Sequence, residues 1–186
     1  MDFSHYTDEP VSLAADLVNT DQRSIGGIDG LASFEDLQRF MAENAELWEG
    51  AASPPEPKDL RDVRRLREDL RNVFLASDAA EASIGINDIL ERSRARPRLS
   101  VHSGAPHLHF ESLGTSAAQW LAVVTAMGLA SVVIEHGVDR FGSCSSDDCE
   151  DVYVDTSRNR SRRHCGATCS SRDNVAAFRR RAKSTV

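Results

Sequence analysis

Apolar positions recur at helical spacing along most of this chain, and the interruptions between them are short and polar. The stretch PVSLAADLVNT, residues 10–20, sets Leu13, Leu17 and Val18 on one face and predicts a short helix, followed by a glycine-rich loop at SIGGIDG. Ser33 with Asp36 three residues on resembles a capping box, and Phe34, Leu37, Phe40, Met41 and Leu47 then mark a second amphipathic helix. After the rigid break ASPPEP, Leu60, Val63, Leu66, Leu70, Val73 and Phe74 repeat every three or four residues among Arg, Asp and Glu, which predicts a helix of about five to six turns. A shorter helix is expected over residues 84–94. Beyond it, Leu99 and Val101, then Leu108 and Phe110, alternate with polar residues on either side of SGAP and predict a β-hairpin.

The next stretch, residues 116–134, carries no charge at all and is about as long as a membrane span. Gln119, Thr125 and Ser131 dilute its apolarity, Glu111 and Glu135 flank it, and no Lys or Arg anchors its ends. A buried central helix over residues 116–136, with Gly137 as its C-cap, is the expectation. The fold class that follows is mainly α with one β-hairpin in the N-terminal part, plus a small C-terminal unit.

Composition changes the picture at the C-terminal end. The chain has 186 residues, a formal charge of −7 and four cysteines, enough length for a core that needs no disulfides. No secretory signal is visible at the N-terminus, so a reducing cytoplasm is expected, where Cys144, Cys149, Cys165 and Cys169 serve as metal ligands or reactive thiols. Charge is divided unevenly. From Thr156 to the C-terminus nine Arg or Lys face the single acid Asp173, a net +8 that leaves −15 on the remainder. Such a split suggests a nucleic-acid-facing tail on an acidic body.

The cysteine spacing is C-x4-C, fifteen residues, then C-x3-C, two close pairs of the kind that closes a tetrahedron around one structural Zn²⁺. Four sulfurs leave no open coordination position, which argues against zinc catalysis, and the absence of a C-x-x-C pair argues against a redox site. EDVYVDT supplies a strand, and the run from Cys169 supplies a helix whose Val175, Phe178 and Ala182 share a face expected to be buried. A zinc loop, a hairpin and a ligand-bearing helix describe a treble-clef-like finger. About forty residues with so few large apolar side chains should need the metal to fold, leaving the N-terminal domain to stand alone. Arg172, Arg179 and Lys183 fall on a second face of the helix with Arg180 beside them, and the preference for Arg over Lys suits phosphate.

VYVDTSRNRSRRHC closely resembles the signature of the CGNR zinc finger, and SLAADLVNT resembles the Leu-Asp-x-Val-Asn-Thr segment of the ABATE domain that precedes it in such proteins. The resemblance implies a bacterial transcription regulator with a helical domain at residues 1–137 that senses a ligand and a DNA-binding finger at 138–186. It implies zinc on Cys144, Cys149, Cys165 and Cys169, and DNA contacts from Arg158, Asn159, Arg160, Arg162 and Arg163. Two positions depart from the pattern: His164 replaces the usual Trp, and CSSR from Cys169 replaces Cys-Gly-Asn-Arg.

Asp16, Asn19 and Thr20 are candidate small-molecule contacts, although residues of these types beside a turn more often cap a helix. His102, His107 and His109 share one hairpin but lack the Cys or paired carboxylates of a metal site, and Trp48 and Trp120 belong to apolar helical faces. No acid, base and nucleophile constellation points to an enzyme. DNA is the expected partner, with a small effector and a second copy of the chain as further candidates and no membrane. The competing reading is a finger that docks a protein partner without touching DNA.

Overall fold

The structure is a computed structural model that describes residues 9–21, 27–48, 52–101, 106–112 and 116–184. Its elements run α1 (Glu9–Asn19), α2 (Phe34–Glu43), α3 (Ala45–Trp48), α4 (Asp59–Phe74), α5 (Ala79–Arg92), β1 (Ala95–Ser100), β2 (His107–Ser112), α6 (Ala117–His136), a 3-10 turn (Val138–Arg140), β3 (Phe141–Ser143), β4 (Val152–Val154) and α7 (Ala167–Ser184).

Local chemistry sets most of these boundaries. The Ser33 hydroxyl accepts from the Asp36 amide while the Asp36 carboxylate accepts from the Ser33 amide, so both halves of the capping box form at the start of α2. Helix α5 starts more than a turn before the expected Ile84, because the Asp78 carboxylate caps it by accepting from Glu81 N at 2.8 Å. The alanines that fill its first turn favour helix without adding to an apolar period. Strands β1 and β2 pair antiparallel from Ala95 opposite Ser112 to Ser100 opposite His107. His102 lies outside the described residues, as do the side chains of His107, His109 and Trp48.

Helix α6 is the centre of the fold. It is long and apolar enough to cross a membrane, yet its sides are covered by α1, α4, α5 and β2, and Leu121, Ala126 and Leu129 are fully buried. The buried Thr125 hydroxyl donates to Leu121 O at 2.6 Å, which removes its polarity from the core. Gly128 lets the start of α1 lie directly on α6, since a Cβ there would stand 3.0 Å from the Pro10 carbonyl carbon. Trp120 packs partly buried against this core.

The apolar core does not stop at Gly137. Val152 and Val154 of β4 join the cluster formed by α1, α4, α5 and α6, and the Phe141 ring lies 5.2 Å from that of Phe74 on α4. Two polar contacts reinforce the seam. Asn19 at the end of α1 donates to Val152 O at 2.9 Å and accepts from Val152 N at 2.8 Å, pairing with β4 as another strand would. One turn of α4 adds Arg71, almost wholly buried, which donates to Glu150 O at 2.9 Å and to Val18 O at 3.2 Å. Arg67, one turn earlier, is equally buried and reaches the Asp29 carboxylate at 2.6 Å and the Thr20 hydroxyl at 3.3 Å.

Candidate metal centre and basic loop

Strands β3 and β4 pair antiparallel from Phe141 opposite Val154 to Ser143 opposite Val152, and the first cysteine pair sits in the turn between them. The loop is drawn in by its own backbone: Cys144 N donates to Asp151 O at 2.8 Å, and Cys149 N to Ser146 O at 3.1 Å. Ser145 N donates to Arg163 O at 2.8 Å and ties this turn to the second pair. Cys165 stands just before α7 and Cys169 lies in its first turn. The finger thus differs from the expected order of a zinc loop followed by a hairpin, because the first two ligands occupy the hairpin's own turn.

All four Sγ atoms lie within 4.8 Å of one another, with Cys149 and Cys169 each 3.7 Å from Cys165. A tetrahedron built on Zn–S bonds of about 2.3 Å has edges of about 3.8 Å, which the two 3.7 Å pairs match and the rest approach to within about 1 Å. None of the four forms a disulfide. Burial opposes ionisation of the Cys144 thiol, but amide hydrogen bonds from Cys165 and Ser146 outweigh it and hold this group at about 7. Burial pushes Cys149 up to about 12 and raises Cys165 further. Without a cation Cys149 and Cys165 hold their protons, and a dication that replaces them satisfies four thiolates at once. The chain therefore carries one structural zinc, and no substrate position remains beside it.

The basic loop is organised by Asp155, which is only 5% exposed. Its carboxylate accepts from Ser157 N at 2.8 Å and from Arg162 N at 2.9 Å, closing the segment between them, and Arg140 fastens the base through Asp155 O and Ser157 O. Burial works against the Asp155 charge, but the hydrogen bonds from Ser157 and Arg162 outweigh it and hold its carboxyl below the usual 3.8. The stability this gives is present above the unfolded value and is lost as pH falls through the lower folded one. Protection of the Ser157 and Arg162 amides from hydrogen exchange, taken relative to the intrinsic rate at each pH, is accordingly expected to fall in acid. Acid also strips zinc, so Asp155→Asn at neutral pH is the separating measurement. It should accelerate exchange at one or both amides with zinc retained, since asparagine keeps only one acceptor oxygen, and unchanged exchange at both would mean that something else holds the loop.

The arginines expected to meet DNA divide sharply. Arg162 turns inward, donating to Val154 O at 3.1 Å, His164 O at 3.0 Å and Cys165 O, with its guanidinium 4.9 Å from the Tyr153 ring centre. Tyr153 in turn covers Gly142, where a Cβ would come within 2.6 Å of the ring. Arg160, in a left-handed conformation, pairs with Asp139 at 2.8 Å, and Arg172 lies 3.6 Å from Cys169 Sγ, beside the negative charge of the thiolates. Arg158, Asn159 and Arg163 are exposed on the outside of the loop. Arg179 and Arg180 are exposed on α7; Lys183 lies on the same helix, its side chain outside the described residues.

The departures from the finger's usual signature have local explanations. His164 bonds Asp173 through Nε2 at 3.0 Å and so fastens the loop to α7. Ser170 and Ser171 continue the helix, with Ser170 N donating to Gly166 O at 3.2 Å, and no glycine-dependent turn is needed there. The outer part of α7 corrects a sequence expectation. Val175 and Phe178, expected to be buried, are 49% and 67% exposed, while Cys169 and Asp173 face the finger and Ala176 and Ala177 are half-buried.

At the end of α1, Asp16, Asn19 and Thr20 do line one cleft of ≈470 Å³ together with Asp36, Arg39 and Asn44. Within it Thr20 returns its hydroxyl to Leu17 O at 2.7 Å as a helix end does, Asn19 is engaged by Val152, and burial raises the Asp16 carboxyl. Sequence reasoning missed Arg67 and Arg71 altogether. A signal was available, since at 100° per residue Arg67 falls beside Val63 and Phe74 inside the apolar arc of α4.

A search of curated proteins gives no match to this chain. Family models do: residues 140–182 match the CGNR zinc finger, and residues 12–135 match ABATE, described as a "putative stress-induced transcription regulator". With two-thirds of its length in the second match and its four sulfurs clustered under the first, the chain belongs to the ABATE family and carries a CGNR zinc finger.

Proposed function

We propose that this chain is a cytoplasmic transcription regulator that binds DNA through its zinc finger. The observation that carries the reading is the Asp155-closed loop, which leaves Arg158, Asn159 and Arg163 exposed and is joined to the basic helix α7 through His164 and Asp173. Pre-ordered cations lose little entropy on meeting phosphate, and arginine suits its forked acceptors. The −15 charge of the remaining chain opposes loose association with DNA at long range.

The helical domain is the sensing unit. A small effector in the cleft beside Asp16, Thr20 and Arg39 would lie next to Asn19, whose carboxamide holds β4 of the finger, so occupancy there has a direct mechanical route to the DNA-binding unit.

Binding to a panel of duplexes at two salt concentrations tests the reading. If about four cations meet phosphates, log affinity should fall against log salt with a slope near −3.6, about a hundredfold between 50 and 200 mM. Arg158→Ala with Arg163→Ala should flatten that slope and retain zinc. Arg162→Ala should instead loosen the finger, because its guanidinium supports three carbonyls. Salt-independent or absent binding to every duplex would reject the DNA reading.

A further inference from the structure

We propose that α7 is the groove-reading element of this finger: it enters the major groove of duplex DNA with its outer Val175 and Phe178 stripe toward thymine methyl groups and arginines toward the phosphate walls. The inference rests on the DNA-binding reading above and assigns the part of the finger that reads sequence.

The orientation of α7 is the starting point. Cys169 at the metal and Asp173 on His164 fix its inner face, with Ala176 and Ala177 half-buried along the same side. At 100° per residue, Ser171, Val175, Phe178 and Ala182 fall about half a turn away from that face. Among the described residues the stripe stands largely uncovered, with Val175 49% and Phe178 67% exposed. Arg172 and Arg179 border it on one side and Arg181 on the other, while Asp173, the helix's one acid, faces the finger.

An apolar stripe with Arg172 and Arg179 along one side and Arg181 on the other needs an occupant with an apolar floor and negative walls on both sides. The major groove has that form. Phosphates line both edges, thymine presents a methyl group on the floor, and a width of about 12 Å admits a helix about 10–12 Å across. Pairing α7 with the same helix of a second copy would set Arg172, Arg179 and Arg181 against their own kind. The loop is poorly placed to read bases by itself, because Arg162 and Arg160 are engaged within the protein; Arg158 and Arg163 remain for phosphates.

The test uses the full, zinc-loaded chain and the tightest duplex it selects from a randomised library. Replacing the critical thymine with uracil removes one methyl group and should weaken the wild type about fourfold. Phe178→Ser should weaken binding to the selected duplex about tenfold, abolish the thymine-to-uracil difference, and leave zinc content and the salt slope unchanged. Because Phe178 is exposed, the variant is expected to fold; zinc content and melting temperature verify that. Equal affinity and equal thymine preference in Phe178→Ser would overturn the assignment of α7, while salt-dependent binding in both proteins would leave the DNA reading standing. Tighter binding to duplex RNA, whose deep major groove excludes a helix, would also overturn it. Absence of binding to any duplex would reject both readings and leave the stripe to an acidic-rimmed protein groove.

Discussion

Removing the zinc is expected to lower the melting temperature of the helical domain as well as to unfold the finger. Structural zinc contributes about 10–16 kcal/mol to a finger's folding, more than a small unit of this kind holds in reserve. Once the metal is gone, the turn holding Cys144 and Cys149 and the start of α7 keep only a few hydrogen bonds between them, such as Ser145 N on Arg163 O and His164 on Asp173. The loss then crosses into the helices, because Val152 and Val154 leave the common core, Phe141 leaves Phe74, and Arg71 loses Glu150 O. Exposing a side chain such as Phe74 costs about 1–3 kcal/mol, and each kcal/mol is worth about 2–4 °C in a chain of this size. Circular dichroism with and without chelator should therefore show the remaining helices melting about 5–10 °C lower, and Cys144→Ser should reproduce the shift. A helical transition that stays at the same temperature would restore the simpler expectation of two units that fold independently.

Asn19→Ala should destabilise the protein by about 2–4 kcal/mol in the absence of any ligand. The wild-type carboxamide satisfies both the amide and the carbonyl of the buried Val152, and alanine takes that partner from both. Asn19→Asp is the informative companion. A carboxylate still accepts from Val152 N but places negative charge against Val152 O, so it should rescue little at neutral pH. The readouts are the melting temperature and hydrogen exchange at Val152, which should rise by one to two orders of magnitude in the alanine variant. If Asn19 only contacts an effector, both quantities will remain at wild-type values without one.

The metal centre was legible because each half of it is local. C-x4-C and C-x3-C bring two thiols together within a single turn of chain, and the family signature from Val152 to Cys165 surrounds them. The capping box of α2 and the C-cap at Gly137 were legible for the same reason. The uncharged run of α6 indicated a buried helix, but only its neighbours show which helices and strand bury it. Less was legible where the partner is remote. Nothing near Asn19 announces Val152, 133 residues away, so a carboxamide at a helix end was read only as a cap or a ligand contact.

Helix α7 separates the two kinds of information most clearly. By itself the sequence determined that Val175, Phe178 and Ala182 share one side of a basic helix, that four cysteines converge on zinc, and that positive charge gathers in one segment. Periodicity names the faces of a helix but not which of them meets protein. The tertiary structure decided that, because Cys169 at the metal and Asp173 on His164 clamp the opposite side inward. It also sorted chemically identical arginines, holding Arg162 against three carbonyls and leaving Arg158 and Arg163 exposed. The physical reason is range: a helical period or a cysteine pair acts within a few residues, whereas the orientation of a charged side chain depends on carbonyls and rings brought to it by folding.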